Sequence, residues 1–262
     1  MPELPEVESQ LDYLRRTALG RAIRKVSVFE PRIIKNSTAA AFRKTLTGRR
    51  LVSAYRRGKY LIVDTDRPRV LILHFGMGGD LQYYPGPKQR PRFTRIEFTL
   101  DNGYRLAFTC PRNICRVMSV GSPSDVPGLR QMGPEPLCSN FTLTVFKTMM
   151  GTGVSRAIKA LLMDQKRIAG IGNIYADQIL FETGIRPTRK TSDLDARETG
   201  RLYRSIRRVL KDALPTASEE ALPSHYIYSR DFSGQGCPDC GRPLAKTRVG
   251  GRTTRYCAGC QR

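Results

Sequence analysis

The spacing of apolar residues divides the chain into a first part with strand-like patterns and a second part with helical spacing. Over 6–19, apolar residues recur every three or four positions, which predicts an amphipathic helix that ends at Gly20. Short apolar runs follow, many of them separated by Gly, Pro or Asn-Gly turns, and they predict strands over 23–30, 51–64, 70–75, 81–84, 95–100, 104–109 and 116–120. This pattern predicts a β-sandwich or barrel with one helix appended.

The period becomes helical after a segment at 121–136 that holds four prolines and three glycines and is predicted to be a linker. Helices are predicted over 141–150, 155–165, 174–183 and 194–214. The fourth helix is rich in arginine outside its apolar stripe, which indicates either a solvated face or a surface that meets phosphates. We therefore expect an α+β protein with a β-sandwich domain at 1–125, a helical domain at 126–232 and a small C-terminal domain at 233–262.

The charge of the chain points to a polyanionic partner. Lys and Arg number 45 against 23 Asp and Glu, which gives a net charge of +22, and the pI is about 10.2. This excess excludes an acidic regulatory module and leaves nucleic acid or an anionic membrane as partners. The apolar run at 70–73 is far shorter than the roughly 20 residues of a membrane span, and 1–10 lacks the order of a secretory signal. We expect an intracellular, nucleic-acid-binding protein.

Four of the seven cysteines lie in the last 26 residues, as Cys237-x2-Cys240, sixteen intervening residues and Cys257-x2-Cys260. Two such pairs can bind one Zn²⁺ tetrahedrally through four thiolates, and the alternative is a pair of disulfides or free thiols. The segment between the pairs is basic and carries no acidic residue, which indicates a phosphate-binding finger held by the structural metal. The other three cysteines have no metal-ligand spacing and are expected to be reduced; they are Cys110, Cys115 and Cys138.

The first three residues suggest covalent catalysis. Because proline at position 2 permits removal of Met1, the mature chain is expected to begin with the secondary amine of Pro2. Such an amine is partly unprotonated at neutral pH and can attack the anomeric carbon of a deoxyribose to form a Schiff base. Glu3 could carry the proton. By this motif alone, an ordinary helix-entry segment is the favoured interpretation.

A glycine-rich loop at 170–173 precedes a predicted helix. Backbone N–H groups at such a helix start can bind a phosphate, and Asn173 can add a side-chain donor. The alternative is a packing turn, since glycine-rich turns are common.

Four segments together resemble the bacterial formamidopyrimidine-DNA glycosylase and endonuclease VIII family, which excises oxidised bases. They are MPELPEVE at 1–8, RGKYL at 57–61, AGIGNIYAD at 169–177 and the four-cysteine finger, in the same order as in the family. The resemblance implies a β-sandwich, then a helix–two-turn–helix module with the zinc finger, and damaged double-stranded DNA as the partner.

The resemblance also implies roles for individual residues. Pro2 would be the nucleophile that displaces the damaged base, and Glu3 the acid that protonates the opening sugar. Lys59 would assist β-elimination and contact phosphate, while Arg252 would grip phosphates and assist δ-elimination. The implied DNA-contacting residues are His74, Met77, Arg112, Ile114, Lys159, Asn173 and Tyr175. For Met77 the alternative is core packing.

The sequence departs from the family pattern at three places. The family's Asp-Pro-Arg-Arg-Phe-Gly segment is CPRNIC here, at 110–115, so Ile114 stands where a phenylalanine wedge is expected. The stretch at 215–225 is acidic and lacks the glycines of the segment that closes over 8-oxoguanine, and its His225 is either a lesion contact or an ordinary surface residue. Gln178 replaces a common glutamate.

We expect a monomeric, cytoplasmic DNA glycosylase and AP lyase with one structural Zn²⁺ and no redox or nucleotide cofactor. One alternative is a damaged-DNA-binding protein that has kept the scaffold but little turnover. A second is a glycosylase for a lesion other than 8-oxoguanine. A third is a zinc-stabilised transcription regulator, for which sequence-specific binding without preference for damage is expected.

Overall fold

The computed structural model describes residues 1–151, 155–217 and 222–262. The chain forms two compact units. Unit 1 comprises Met1–Pro2 and Glu6–Gln131, and unit 2 comprises Glu3–Pro5 and Met132–Arg262.

Unit 1 is built from two four-stranded antiparallel sheets and the helix α1 (Leu4–Thr17), which continues into it from Glu6. The eight strands are β1 (Ile23–Val28), β2 (Leu51–Arg57), β3 (Tyr60–Thr65), β4 (Val70–His74), β5 (Asp80–Tyr84), β6 (Thr94–Leu100), β7 (Arg105–Thr109) and β8 (Arg116–Val120). One sheet has the order β1-β6-β7-β5 and the other β2-β3-β4-β8. The buried face of α1 and the apolar faces of the strands share one core, so the predicted sandwich with an appended helix is confirmed.

Unit 1 differs from the predicted pattern in one strand and contains a helix that was not predicted. The single strand expected over 51–64 is the hairpin β2–β3, because Gly58, with φ of +55°, lets the chain reverse after Arg57. A helix that the apolar pattern did not predict, α2 (Ala39–Leu46), begins after Thr38, whose hydroxyl accepts a hydrogen bond from the Ala41 N–H. Only Phe42 and Leu46 of α2 are buried, so its apolar stripe is too narrow to stand out in the sequence. The short helix α3 (Pro127–Arg130) lies in the expected linker.

Unit 2 is mainly helical. Its helices are α4 (Leu143–Gly151), α5 (Ile158–Met163), α6 (Asn173–Glu182), α7 (Ala196–Ala213) and α8 (Ile227–Phe232). The core contains the apolar stripe expected for α7, and this helix starts at Asp195 through reciprocal hydrogen bonds between Asp195 and Glu198. The helix expected over 155–165 is shorter, because Ala157 and Asp164, with ψ of 131° and 107°, lie outside the helical region at its two ends. None of the helices in the described ranges is long and apolar enough to cross a membrane.

The end of unit 2 is a two-stranded hairpin of β9 (Ala245–Val249) and β10 (Arg252–Tyr256). The two residues of its turn, Gly250 and Gly251, have φ of +56° and +73°, which only glycine adopts at low cost. The turn therefore sets the register that pairs Arg252 with Val249.

A core substitution in unit 1 tests the sandwich. Phe98 is 1% exposed in the shared core, so Phe98→Ala is expected to lower the free energy of unfolding by about 3–5 kcal/mol. Val52, 46% exposed on β2, provides the control, and Val52→Ala should change stability by less than about 1 kcal/mol. Urea denaturation measures both, and equal effects would contradict the assigned core.

Candidate active site and nucleic-acid interface

The carboxylate of Glu3 is fixed at the N-terminus of α6. It accepts hydrogen bonds from the backbone N–H groups of Gly172 (2.6 Å), Ile174 (3.0 Å) and Tyr175 (3.5 Å). Glu3 is 2% exposed, and the positive end of the helix dipole favours an anion at this place. The Leu4 N–H donates to the Gly170 carbonyl at 3.1 Å, so the chain directly after Pro2 is held in a single position.

This contact uses backbone N–H groups that the sequence offered for a phosphate at the loop of 170–173. The N–H groups of Gly172 and Ile174 donate to Glu3. Gly170, with φ of +84°, has no room for a side chain, because an added Cβ would lie 2.8 Å from Leu4 Cβ. The loop is therefore shaped to hold the residues at 3–4.

A fully buried ion pair joins α5 to α6. Lys159 Nζ lies 2.7 Å from Asp177 Oδ1, and both side chains are 0% exposed. Burial raises the pKa of Asp177 to about 6 and lowers the pKa of Lys159, and the attraction between the two charges opposes both shifts. An isolated charge at either position would be costly, so each residue depends on the other.

The ion pair and Asn173 attach β10 to the helices. Lys159 Nζ donates to Thr254 Oγ1 at 2.7 Å, and Asn173 Nδ2 donates to the Thr253 carbonyl at 3.0 Å. Asp177 Oδ2 accepts from the Arg255 N–H at 2.9 Å. β10 is thus held along its length, and the exposed Arg252 at its first position is presented from a fixed strand.

The structure gives two of the expected DNA-contacting side chains no exposed surface for such a contact. Lys159 is 0% exposed within the ion pair, and Tyr175 is 1% exposed with its ring perpendicular to that of Tyr226. The family motif identified these positions but did not show which way they face. Asp177 was not singled out as functional; its position four residues after Asn173 on α6 is the signal that places both on one helix face.

The four cysteines of the finger converge. Their sulfur atoms all lie within 4.8 Å of one another, with 3.8 Å between Cys237 and Cys260 and 3.5 Å between Cys240 and Cys257. Four thiolates at about 2.3 Å from a tetrahedral metal ion are separated by about 3.8 Å. The arrangement therefore fits a four-sulfur metal site. Gln261 supports it by accepting from the Cys257 N–H at 2.8 Å.

In unit 1, Lys59 and His74 lie on neighbouring strand ends of one sheet. Lys59 follows Gly58 in the β2–β3 turn and is 6% exposed. Burial, with the positive charges of Arg116 and Lys59, lowers the pKa of His74 to about 4. His74 is thus neutral at pH 7, and its Nδ1 accepts from the Gly76 N–H at 3.3 Å.

Two loops of unit 1 meet through Met77 and Arg112. An Arg112 guanidinium nitrogen lies 3.5 Å from the Met77 sulfur. Ile114 is 45% exposed in the same loop as Arg112. Met77 is half-buried rather than part of the core, so the core alternative for this residue is not what the structure shows.

The structure corrects the expectation that Cys110 and Cys115 are reduced. They form a disulfide that spans the segment carrying Arg112 and Ile114. Cys138 is a free, exposed thiol. Spacing rules for metal ligands could not identify the pair, because the strand ends of β7 and β8 bring the two residues together.

The remaining predicted residues lie as follows. Pro2 is half-buried in unit 1. Residues 218–221 of the altered stretch at 215–225 lie outside the described residues. His225 is exposed, with Nε2 3.3 Å from Asp212 Oδ2. Gln178 is buried and its side-chain oxygen accepts from the Ile227 N–H at 3.0 Å.

Comparison with protein-family models decides the relationship. Residues 1–117 match the formamidopyrimidine-DNA glycosylase N-terminal domain, and 132–221 match the H2TH domain of the same enzyme. The chain belongs to the formamidopyrimidine-DNA glycosylase family. The resemblance of the four sequence segments is thereby confirmed, and with it the enzyme class of DNA glycosylase.

Individual relatives agree along the whole chain. A formamidopyrimidine-DNA glycosylase of Pelotomaculum thermopropionicum is 36% identical, covering 100% of this chain and 99% of the relative. One of Thermus thermophilus is 37% identical over 100% and 98%. A crystal structure of a Thermus thermophilus protein of this family has a TM-score of 0.82 at 34% identity, covering 99% and 98%. A Lactococcus lactis protein in complex with DNA containing an oxidised pyrimidine has a TM-score of 0.88 at 28% identity, covering 99% of both chains.

The buried ion pair yields a stability prediction. Lys159→Met leaves Asp177 buried without its cation and is expected to cost about 3–5 kcal/mol of unfolding free energy. Lys159→Met/Asp177→Asn should recover part of this loss, since asparagine is neutral and can still accept from the Arg255 N–H. Denaturation curves of both variants measure the difference.

An exposed pair serves as the control for that cycle. Asp12 and Arg15 are 59% and 46% exposed, so Asp12→Ala should cost less than about 1 kcal/mol. A cost for Lys159→Met no larger than that of the control, or a double variant less stable than the single one, would contradict the coupling.

Proposed function

We propose that the protein is a bifunctional DNA glycosylase and AP lyase of base excision repair that forms a Schiff base through Pro2. The observation that carries this proposal is the fixed carboxylate of Glu3. Glu3 directly follows Pro2 and accepts hydrogen bonds from three backbone N–H groups at the N-terminus of α6. The chain next to the proposed nucleophile is therefore anchored to this helix. Positioning of this kind is what nucleophilic catalysis at a sugar carbon requires.

The proposed reaction begins when the imino nitrogen of Pro2 attacks C1′ of an extruded nucleotide and the base leaves with a proton. We assign Glu3 to proton transfer at the opening sugar and Lys59 to β-elimination. Arg252 would then bind the phosphate that leaves in δ-elimination. Lys59 is buried in the β2–β3 turn, whereas Arg252 is exposed on a strand held by three side-chain contacts, which suits these separate roles.

Met77, Arg112 and Ile114 are proposed to occupy the space that the extruded nucleotide leaves in the duplex. Their support is the contact between Arg112 and Met77 together with the exposure of Ile114. His74 is assigned to shaping the turn of Met77 through the Gly76 N–H. For Lys159, Asn173 and Tyr175 we propose that they position α6 and β10, with Asn173 also close enough to the surface to meet a phosphate.

We propose Zn²⁺ as the metal of the four-cysteine site. Four sulfur ligands at tetrahedral separations are typical of structural zinc, which when bound supplies folding energy to a hairpin with little core of its own. The domain roles follow: catalysis at 1–125, DNA binding at 126–232 and the finger at 233–262. Acting on DNA would place the protein with the chromosome in the cytoplasm.

The stretch at 215–225 bears on the preferred lesion. The stretch at 215–225 lacks glycine, which favours a lesion other than 8-oxoguanine. Excision rates on a panel of duplexes with ring-opened purines, 8-oxoguanine and oxidised pyrimidines test this, and a preference for 8-oxoguanine would contradict it.

Borohydride trapping tests the nucleophile. The wild-type protein should become covalently linked to abasic duplex DNA. Before reaction, the intact mass of the protein should equal that of the chain without Met1. Pro2→Gly should lower the trapped yield by about tenfold or more, because a primary amine in a looser backbone replaces a fixed secondary amine.

Pro85→Gly, in an exposed turn, is the matched control and should trap like the wild type. A wild-type protein that binds abasic duplexes but forms no covalent product would instead support the damage-binding alternative.

Removal of the metal tests the finger. One zinc ion per chain is expected by atomic absorption, and chelation should weaken DNA binding by about tenfold or more, because β10 and Arg252 lose their anchor at Cys257. Circular dichroism should show that the sandwich persists. Cys138→Ser should bind one zinc ion as well, whereas Cys240→Ser should bind it weakly; equal binding by both would exclude the assigned site.

A further inference from the structure

The segment that carries Arg112 and Ile114 is closed by a covalent bond at its base. Cys110 and Cys115, joined as a disulfide, are 0% and 1% exposed, whereas Ile114 between them is 45% exposed. The Cys115 N–H also donates to the Cys110 sulfur at 3.3 Å. A buried link thus supports a four-residue tip in which Pro111, Arg112 and Ile114 are exposed and Asn113 is half-buried.

The disulfide lies against the neighbouring turn that carries Met77. Cys115 Sγ is 2.9 Å from the Phe75 carbonyl oxygen. A Cβ placed on Gly79 would be 2.8 Å from the same sulfur, and one placed on Gly76 would be 2.8 Å from the Ile114 carbonyl oxygen. Since both glycines leave room for the disulfide segment, the two loops proposed to face DNA are packed as one body.

The tip itself has an unusual backbone. Asn113 adopts φ of +54°, and its Nδ2 donates to Glu30 Oε2 at 3.2 Å. Glu30 is in turn held by Arg32, which lowers the pKa of that carboxyl to about 2, so the acceptor is anionic across the physiological range. Ile114 presents a smaller, non-aromatic side chain than phenylalanine, so its value as a wedge depends on a backbone that does not yield.

We propose that the Cys110–Cys115 disulfide is a redox-dependent positioning element: oxidised, it fixes Arg112 and Ile114 for insertion opposite the extruded nucleotide. Reduction of the disulfide removes this constraint on both side chains. In that step a dithiol gives two electrons and two protons, the S–S bond breaks to two thiols, and the dithiol becomes its cyclic disulfide. Loss of the cross-link enlarges the conformational freedom of 111–114, so reading of the partner base weakens. This inference rests on the proposed function.

The first experiment establishes the oxidation state. Unfolded, metal-free protein alkylated without reductant should carry five modifications, since two of its seven cysteines are joined, and seven after reduction. Seven modifications without reductant, from protein purified without thiols, would overturn the proposal.

The second experiment measures partner-base discrimination. Borohydride trapping rates are compared on abasic duplexes with each of the four bases opposite the site, using oxidised protein and protein reduced by dithiothreitol with zinc content verified. Reduction should lower the ratio between the fastest and the slowest of the four rates by about tenfold, because the segment at 111–114 is then no longer ordered before DNA binds. Trapping on single-stranded abasic DNA, which has no partner base, should stay within about twofold.

Variants separate positioning from simple destabilisation. Cys110→Ser/Cys115→Ser should match the reduced wild type and ignore dithiothreitol, whereas Cys138→Ser should keep the full response. A general loss of fold would lower trapping on single-stranded DNA as well. Should the double variant not fold, reduced wild-type protein still provides the comparison.

The two hypotheses fail in different ways. Absence of trapping by oxidised wild-type protein on every substrate would overturn the proposed function. Efficient trapping with the same partner-base discrimination before and after complete reduction would overturn only the role of the disulfide.

Discussion

The buried pair of Lys159 and Asp177 is the interaction on which the helical unit depends. Removing two charges from water is costly, and their hydrogen bonds to Thr254 and the Arg255 N–H offset part of that cost. Because α6 receives Glu3 at its N-terminus and supports β10 through the pair, one helix fixes both the residue after the proposed nucleophile and the strand of Arg252. A wholly apolar contact would have supplied stability without fixing the orientation of α6 relative to β10.

The two units fix their exposed loops by different means. In unit 2 the hairpin is held by directed hydrogen bonds and by a four-sulfur site. In unit 1 the segment at 110–115 is held by a disulfide and by glycines that admit it. Both solutions use little core volume, which suits loops that must stay exposed to meet a ligand.

Much of the fold and of the candidate site could be predicted from the sequence. The exceptions are features that no local sequence pattern reports. The period of apolar residues predicts the sandwich, α1 and α7, and the cysteine spacing predicts the four-sulfur cluster, because both signals are local. The hairpin at Gly58 depends on a backbone conformation that the apolar period does not report. The burial of Lys159 and Tyr175 depends on partners distant in sequence. The joining of Cys110 to Cys115 depends on where β7 ends and β8 begins. The family motif marks such positions as important but does not distinguish a side chain that touches a ligand from one that positions its neighbour.

An oxidising environment affects the finger cysteines and the Cys110–Cys115 disulfide differently. Hydrogen peroxide attacks thiolates, so it would threaten the four finger sulfurs, of which Cys240 is exposed, while leaving an already joined Cys110 and Cys115 unchanged. A cell under oxidative stress is where oxidised bases accumulate. The segment at 110–115 would therefore keep its conformation during such stress. The resistance of the protein to oxidation would be set by how well a bound metal protects the four finger sulfurs.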